Sequence, residues 1–148
     1  MNQITDNKMK TILIFMISLF ALGCYAQSDA GSFFTSTEID KGESATGTFS
    51  ISGNYVSTIS VQFTVDTVSV TQTPKIIVYL QQSVTGNTND YEDISGYRDT
   101  LSVTAATKTK VYNITTPTNL KYIKAVASSI DSTATVNVES YYSWSKYK

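Results

Sequence analysis

From Ala45 onward, apolar and hydroxyl-bearing side chains alternate with a period of two, and a chain so patterned can bury one face only as strands. Ala45, Gly47, Phe49 and Ile51 fall on one side of such a strand, and Thr46, Thr48, Ser50 and Ser52 on the other. Gly53-Asn54 is a turn signal. Ile59, Val61, Phe63 and Val65 then alternate against Ser60, Gln62, Thr64 and Asp66. At Asp66-Thr67 the phase flips, and Val68 and Val70 resume on the other parity. That predicts a bulge, or a corner where the chain changes sheets.

Lys75 to Gln82 is apolar on both parities, as expected of a central strand, and Ser83 to Asp90 is a loop rich in Gly and Asn. Leu101, Val103 and Ala105 make a further strand face, and Lys110 to Thr116 another strand, closed by Pro117-Thr118-Asn119. Leu120 to Ala127 and Thr133 to Tyr142 read as a final hairpin through Ser128 to Ser132, after a polar lead-in from Ser28 to Ser36. Composition agrees. From Gln27 there are 12 Val and 9 Ile against 3 Leu, and 38 of 122 residues are Ser or Thr. Branched side chains lose χ1 freedom on a helix and pack well on a pleated sheet. The expected fold is all-β: one antiparallel β-sandwich, jelly-roll-like, of seven or eight strands over residues 27–148.

The first 26 residues have a different character. Lys8 and Lys10 precede an apolar run from Ile12 to Leu22, followed by Gly23-Cys24-Tyr25-Ala26. This is the order of a secretory signal, with Met9 an equally good start. As a helix the run rises only about 16 Å, roughly half a bilayer core. Cleavage between Ala26 and Gln27 gives a Cys-free mature chain; lipidation of Cys24 and an uncleaved anchor are the alternatives. Contact with a membrane is expected only through this segment.

Several chemistries drop out. With 11 basic and 12 acidic side chains the net charge is −1, and there is no electrostatic footprint for nucleic acid. No His is present, so there is no imidazole base, and a single Cys allows neither an internal disulfide nor a Cys-cluster zinc site. Glu38, Glu43, Glu92, Asp93 and Glu139 could serve glycoside hydrolysis, but no spacing selects a pair. No G-x-S-x-G elbow occurs. The chain is expected not to be an enzyme.

Two groups of residues could bind something. Asp90, Glu92 and Asp93 cluster where a loop could converge oxygens on Ca²⁺, against the plainer reading that they are solvated; no other cofactor is expected. Tyr141, Trp144 and Tyr147 crowd the C-terminus, and Tyr91 and Tyr97 flank the acidic loop. Exposed rings could stack on sugars or anchor a partner. Alternatively, Tyr142 continues an inward face and Trp144 covers the open end of the sandwich. Lys121 and Lys124 read as charges guarding an edge strand against unwanted pairing. Asn113-Ile114-Thr115 is a glycosylation sequon that matters only in a eukaryotic secretory route.

From about Thr46 to Trp144 the motif order resembles small β-sandwich virion accessory proteins of bacteriophages, the decoration, cement or neck-and-tail class. Ile76 to Ser83 leading into a Gly-containing loop, then Tyr91-Glu92-Asp93-Ile94, then Leu120 to Ala127 with the strand Thr133 to Val138, carry the similarity. It implies a non-enzymatic structural protein working through protein contacts, as a homo-oligomer or in a larger assembly. The same motifs suit carbohydrate-binding sandwiches, and the export segment fits a membrane-containing particle or a surface protein. A secreted or cell-surface carbohydrate-binding or adhesion module is therefore the alternative.

Overall fold

The computed structural model describes residues 28–51, 56–68, 73–104, 106–115, 121–130 and 135–146. Its eight strands are β1 (Ser28–Ile39), β2 (Ser44–Ser50), β3 (Val56–Thr67), β4 (Lys75–Ser83), β5 (Glu92–Ser102), β6 (Lys108–Ile114), β7 (Tyr122–Ser129) and β8 (Val136–Lys146). They pair antiparallel as β1 with β8, β2 with β7, β3 with β6 and β4 with β5. This is the pairing of one long ribbon whose tip is the β4–β5 turn. Folding the ribbon over adds the β3–β8 and β4–β7 ladders and leaves two four-stranded sheets, β1-β8-β3-β6 and β2-β7-β4-β5. That winding is a jelly roll.

The core is the set of inward parities. Val61, Phe63 and Val65 of β3 face Ile76, Val78 and Leu80 of β4, with Ile123, Ala125 and Ala127 of β7 and Val136 and Val138 of β8 closing round them, all buried. The expected phase flip is a corner. The chain leaves one sheet at Thr67 and enters the other at Lys75, and Val68 stands exposed between them. Lys75–Ser83 is indeed central, flanked by β5 and β7.

Three expectations are corrected. The stretch from Ser28 is an edge strand paired with β8, because bulges near Phe34 keep Phe33 and Phe34 packed on the core despite its polar sequence. β7 and β8 are not a hairpin, since they belong to opposite sheets. Lys124 lies on a central strand between β2 and β4, so it does not guard an edge; Lys121 immediately precedes that strand.

The two long sides of the sandwich close differently. On the β1–β2 side, a Cβ at Gly47 would stand 2.1 Å from the carbonyl oxygen of Phe33, so the edge strands touch backbone to backbone. The Phe33, Phe49, Tyr142 and Trp144 rings fill that side, with Phe49 and Tyr142 centroids 4.3 Å apart. On the β5–β6 side, the Tyr97 hydroxyl donates to the Asn113 carbonyl (3.1 Å), and Lys110 meets Asp99 at 2.6 Å. These contacts tie the sheets together where both would otherwise end in open edges.

The signal segment with Cys24, Ala26 and Gln27, the Gly53-Asn54 and Pro117-Thr118-Asn119 turns, and Tyr147 lie outside the described residues. Among the described residues no helix is long and apolar enough to cross a membrane.

Candidate functional site

Outward parity on the β2-β7-β4-β5 sheet brings together side chains far apart in sequence. One row across the four strands reads Thr48, Lys124, Gln81, Asp93, and the next Thr46, Val126, Tyr79, Arg98. Adjacent strands lie about 4.8 Å apart, which sets the spacing along each row. Asp93 and Arg98 are five residues apart, so strict alternation would put them on opposite faces. A register shift in β5 opposite Leu80 restores them to one face and turns Ile94 and Tyr97 toward the core.

The face is held by polar contacts. Asp93 accepts from Gln81 Nε2 through Oδ1 and from Arg98 through Oδ2, both at 2.9 Å. The Arg98 guanidinium lies 4.8 Å from the centroid of the Tyr79 ring. Lys124 Nζ sits 4.0 Å from the centroid of the Tyr91 ring. Each contact combines charge with ring quadrupole and holds a long side chain against its neighbour.

The β4–β5 turn bounds this face at one end. Ser83 Oγ accepts the Thr85 and Gly86 backbone N–H groups at 3.1 and 2.9 Å, and the Asp90 carboxylate receives the Thr85 hydroxyl and the Asn87 amide. Gly86, with φ of +80°, lies so close to Tyr122 that a Cβ would stand 2.9 Å from its ring. The turn is therefore pinned flat on Tyr122.

The three carboxylates singled out for calcium are engaged separately. Asp90 is engaged in the turn and Asp93 with Arg98 and Gln81, while Glu92, next to Asp93 on a strand, projects to the other side. Among the described residues no three acidic groups come together to hold a metal ion.

The aromatic candidates scatter. Tyr91 belongs to the face just described. Tyr97 bridges the sheets and packs edge-on against Tyr112 at 5.7 Å. Tyr141 stands on the outer face of the other sheet, 40% exposed, its hydroxyl donating to Glu139. Trp144 is 8% exposed inside the aromatic side wall, which leaves little of its ring for a partner. Sequence reasoning missed Tyr79, Gln81 and Arg98. The signal for the first two was the odd parity of Ile77, Tyr79 and Gln81 within a strand apolar on its even positions.

Electrostatics mark the β5–β6 side. Burial pushes the Tyr112 phenol up to about 12, helped by the nearby Asp99 charge. The Lys110 ammonium, with the Thr100 N–H, holds the Asp99 carboxyl below its ordinary value. For Tyr112 the folded value lies above the unfolded one, so the folded state favours the protonated phenol. Its contribution to stability is complete below about pH 10 and is lost between about pH 10 and 12. In an ultraviolet titration Tyr112 should ionise among the last tyrosines, with Tyr141 also late because its hydroxyl donates to Glu139. Tyr112→Phe should remove one residue's worth of the late amplitude and soften the alkaline unfolding limb; an undiminished late amplitude would contradict the assignment.

No family model matches the chain, and no curated protein matches it. Solved structures do share its fold. A chain in the structure of infectious bursal disease virus, Gx strain, is 14% identical with a TM-score of 0.58, the match covering 81% of this chain and 32% of that one. The infectious bursal disease virus VP2 subviral particle gives 11% identity and a TM-score of 0.53, over 84% of this chain and 33% of that one. The CBM22-2 xylan-binding domain of Paenibacillus barcinonensis Xyn10C gives 13% identity and a TM-score of 0.51, over 83% and 89%. The protein thus spans about a third of the viral chains and most of the xylan-binding domain. At these identities the likeness is one of fold: the described chain is an eight-stranded β-sandwich of the architecture used by both viral particle proteins and carbohydrate-binding modules.

Proposed function

We propose that the protein is an exported, non-catalytic recognition module that binds polysaccharide on the outer face of the β2-β7-β4-β5 sheet. The observation that carries this reading is the pair of rows from Thr48 to Asp93 and from Thr46 to Arg98. Sugars offer apolar ring faces and hydroxyl edges. The rows answer them with the half-buried Tyr79 ring on one hand, and with Thr46, Thr48, Gln81 and Arg98 on the other, while Val126 is buried beneath them. The xylan-binding domain, which matches over most of its length, supports placing such a role on this fold. Export follows from Lys8, Lys10 and the apolar run that succeeds them.

A second reading has its own observation. On the opposite sheet the rows Val111, Gln62, Tyr141, Ser32 and Asn113, Ser60, Ser143, Ala30 carry no charge. Charge-poor surface with Tyr, Ser and Asn is the composition of contact surfaces. It supports docking of copies on one another or on a particle. The similarity to bacteriophage accessory proteins implies such docking, and the VP2 particle shares the fold.

One set of preparations tests both. In native gels containing xylan, soluble glucan or polygalacturonate, the protein should be retarded by at least one polysaccharide. Tyr79→Ala, shown by circular dichroism to be folded, should weaken that binding about tenfold, equivalent to about 1.4 kcal/mol. Unretarded migration in every gel would overturn the polysaccharide reading. A sedimentation coefficient that rises with concentration in the wild type, but not in Tyr141→Glu, would then favour assembly.

A further inference from the structure

We infer that the polysaccharide bound on this face is acidic, with a carboxylate or sulfate group of each bound segment held at Lys124. The inference rests on the reading just given and adds the chemical class of the ligand.

Three observations lead to it. Lys124 is on a central strand, where a lysine has no edge to protect, and its neighbours in the row are the neutral Thr48 and Gln81. It takes part in no ion pair among the described residues, where Arg98 meets Asp93 and Lys110 meets Asp99. Its ammonium is held in place on the Tyr91 ring, 4.0 Å from the centroid, instead of being free to sweep through solvent.

An inventory of hydrogen-bonding capacity points the same way. Both oxygens of Asp93 are engaged, by Gln81 and Arg98. Lys124 has three N–H donors and Arg98 five, and of these only one Arg98 donor is bonded to a described side chain on this face. The local formal charge of Lys124, Arg98 and Asp93 is positive by one unit. A face with spare donors, a positive charge and its carboxylate already occupied suits a ligand rich in acceptors and negatively charged. Neutral glycan would offer the Lys124 ammonium hydroxyl acceptors but no counter-charge.

The experiment compares binding of the full chain to polygalacturonate (carboxylate), dextran sulfate (sulfate) and xylan or dextran (neutral) in 50 and 500 mM NaCl. Wild type should bind at least one acidic polymer tenfold or more tightly than the neutral ones, with affinity falling as salt rises. Which acidic polymer binds identifies the group. Lys124→Gln should lose that preference while melting within a few degrees of wild type, and Lys124→Arg should keep most of it. Binding of neutral polymers with no preference for acidic ones would overturn this inference and leave the polysaccharide reading standing. Binding of none would remove both. If Lys124→Gln instead alters the sedimentation of the protein alone, the face is a contact between copies and the inference falls.

Discussion

Gly47→Ala is expected to destabilise the protein by about 3 kcal/mol or more, seen as a melting temperature lowered by roughly 10 °C or more. The added methyl would stand 2.1 Å from the Phe33 carbonyl oxygen and 2.8 Å from its Cα. Those are backbone atoms, so no rotamer change relieves the overlap; β1 must move away from β2. That shift would also loosen the Phe33, Phe49 and Tyr142 rings, whose packing closes this side of the sandwich. Overpacking in a filled core ordinarily costs about 1–3 kcal/mol, and a rigid backbone wall puts this site at the top of that range or beyond. A loss below about 1 kcal/mol would mean that β1 and β2 do not approach so closely.

Phe63→Ala should cost about 3–5 kcal/mol, read from the midpoint of urea unfolding at unchanged slope. Phe63 is fully buried in the middle of β3, with the Phe34 and Tyr112 ring centroids at 6.4 and 6.1 Å. Strands on both sides in its own sheet and the facing sheet above limit collapse into the vacated space, so the cavity persists. Val111→Ala, on the outer face of β6 and 50% exposed, is the matched control and should stay within about 0.5 kcal/mol. Equal effects at the two positions would contradict the inward and outward assignment of residues in the β1-β8-β3-β6 sheet.

The candidate site was only partly legible in advance. Tyr91 could be singled out because it flanks a polar loop in the sequence. Arg98 could not, because it reaches the same face as Asp93 only through the β5 register shift. Tyr79 carried a parity signal, shared with Ile77 and Gln81, but it sits inside a run that reads as core. Trp144, the single Trp and an obvious anchor by residue type, goes into the aromatic side wall because inward parity in β8 runs Val136, Val138, Ser140, Tyr142, Trp144. Lys124 shows the limit most plainly. Lysine on a strand suggests an edge, and only the β2–β7 and β4–β7 ladders place it at the centre of a face.

By itself the sequence determined that the alternating segments matching β2, β3, β4, β6, β7 and β8 form strands, which of their side chains point inward, and where the corner at Thr67 falls. Those are local properties: a period of two and the χ1 cost of branched residues act within a few positions, whatever the rest of the chain does. Tertiary structure alone decided that β8 joins β1 and β3 and not β7, and that a polar stretch from Ser28 is a strand. It alone gathered Thr48, Tyr79, Asp93, Arg98 and Lys124 on one face. Strand pairing joins residues as distant as Ser28 and Ser145. Every strand offers the same backbone donors and acceptors, so the choice of partner comes from how all the inward faces fill one core together.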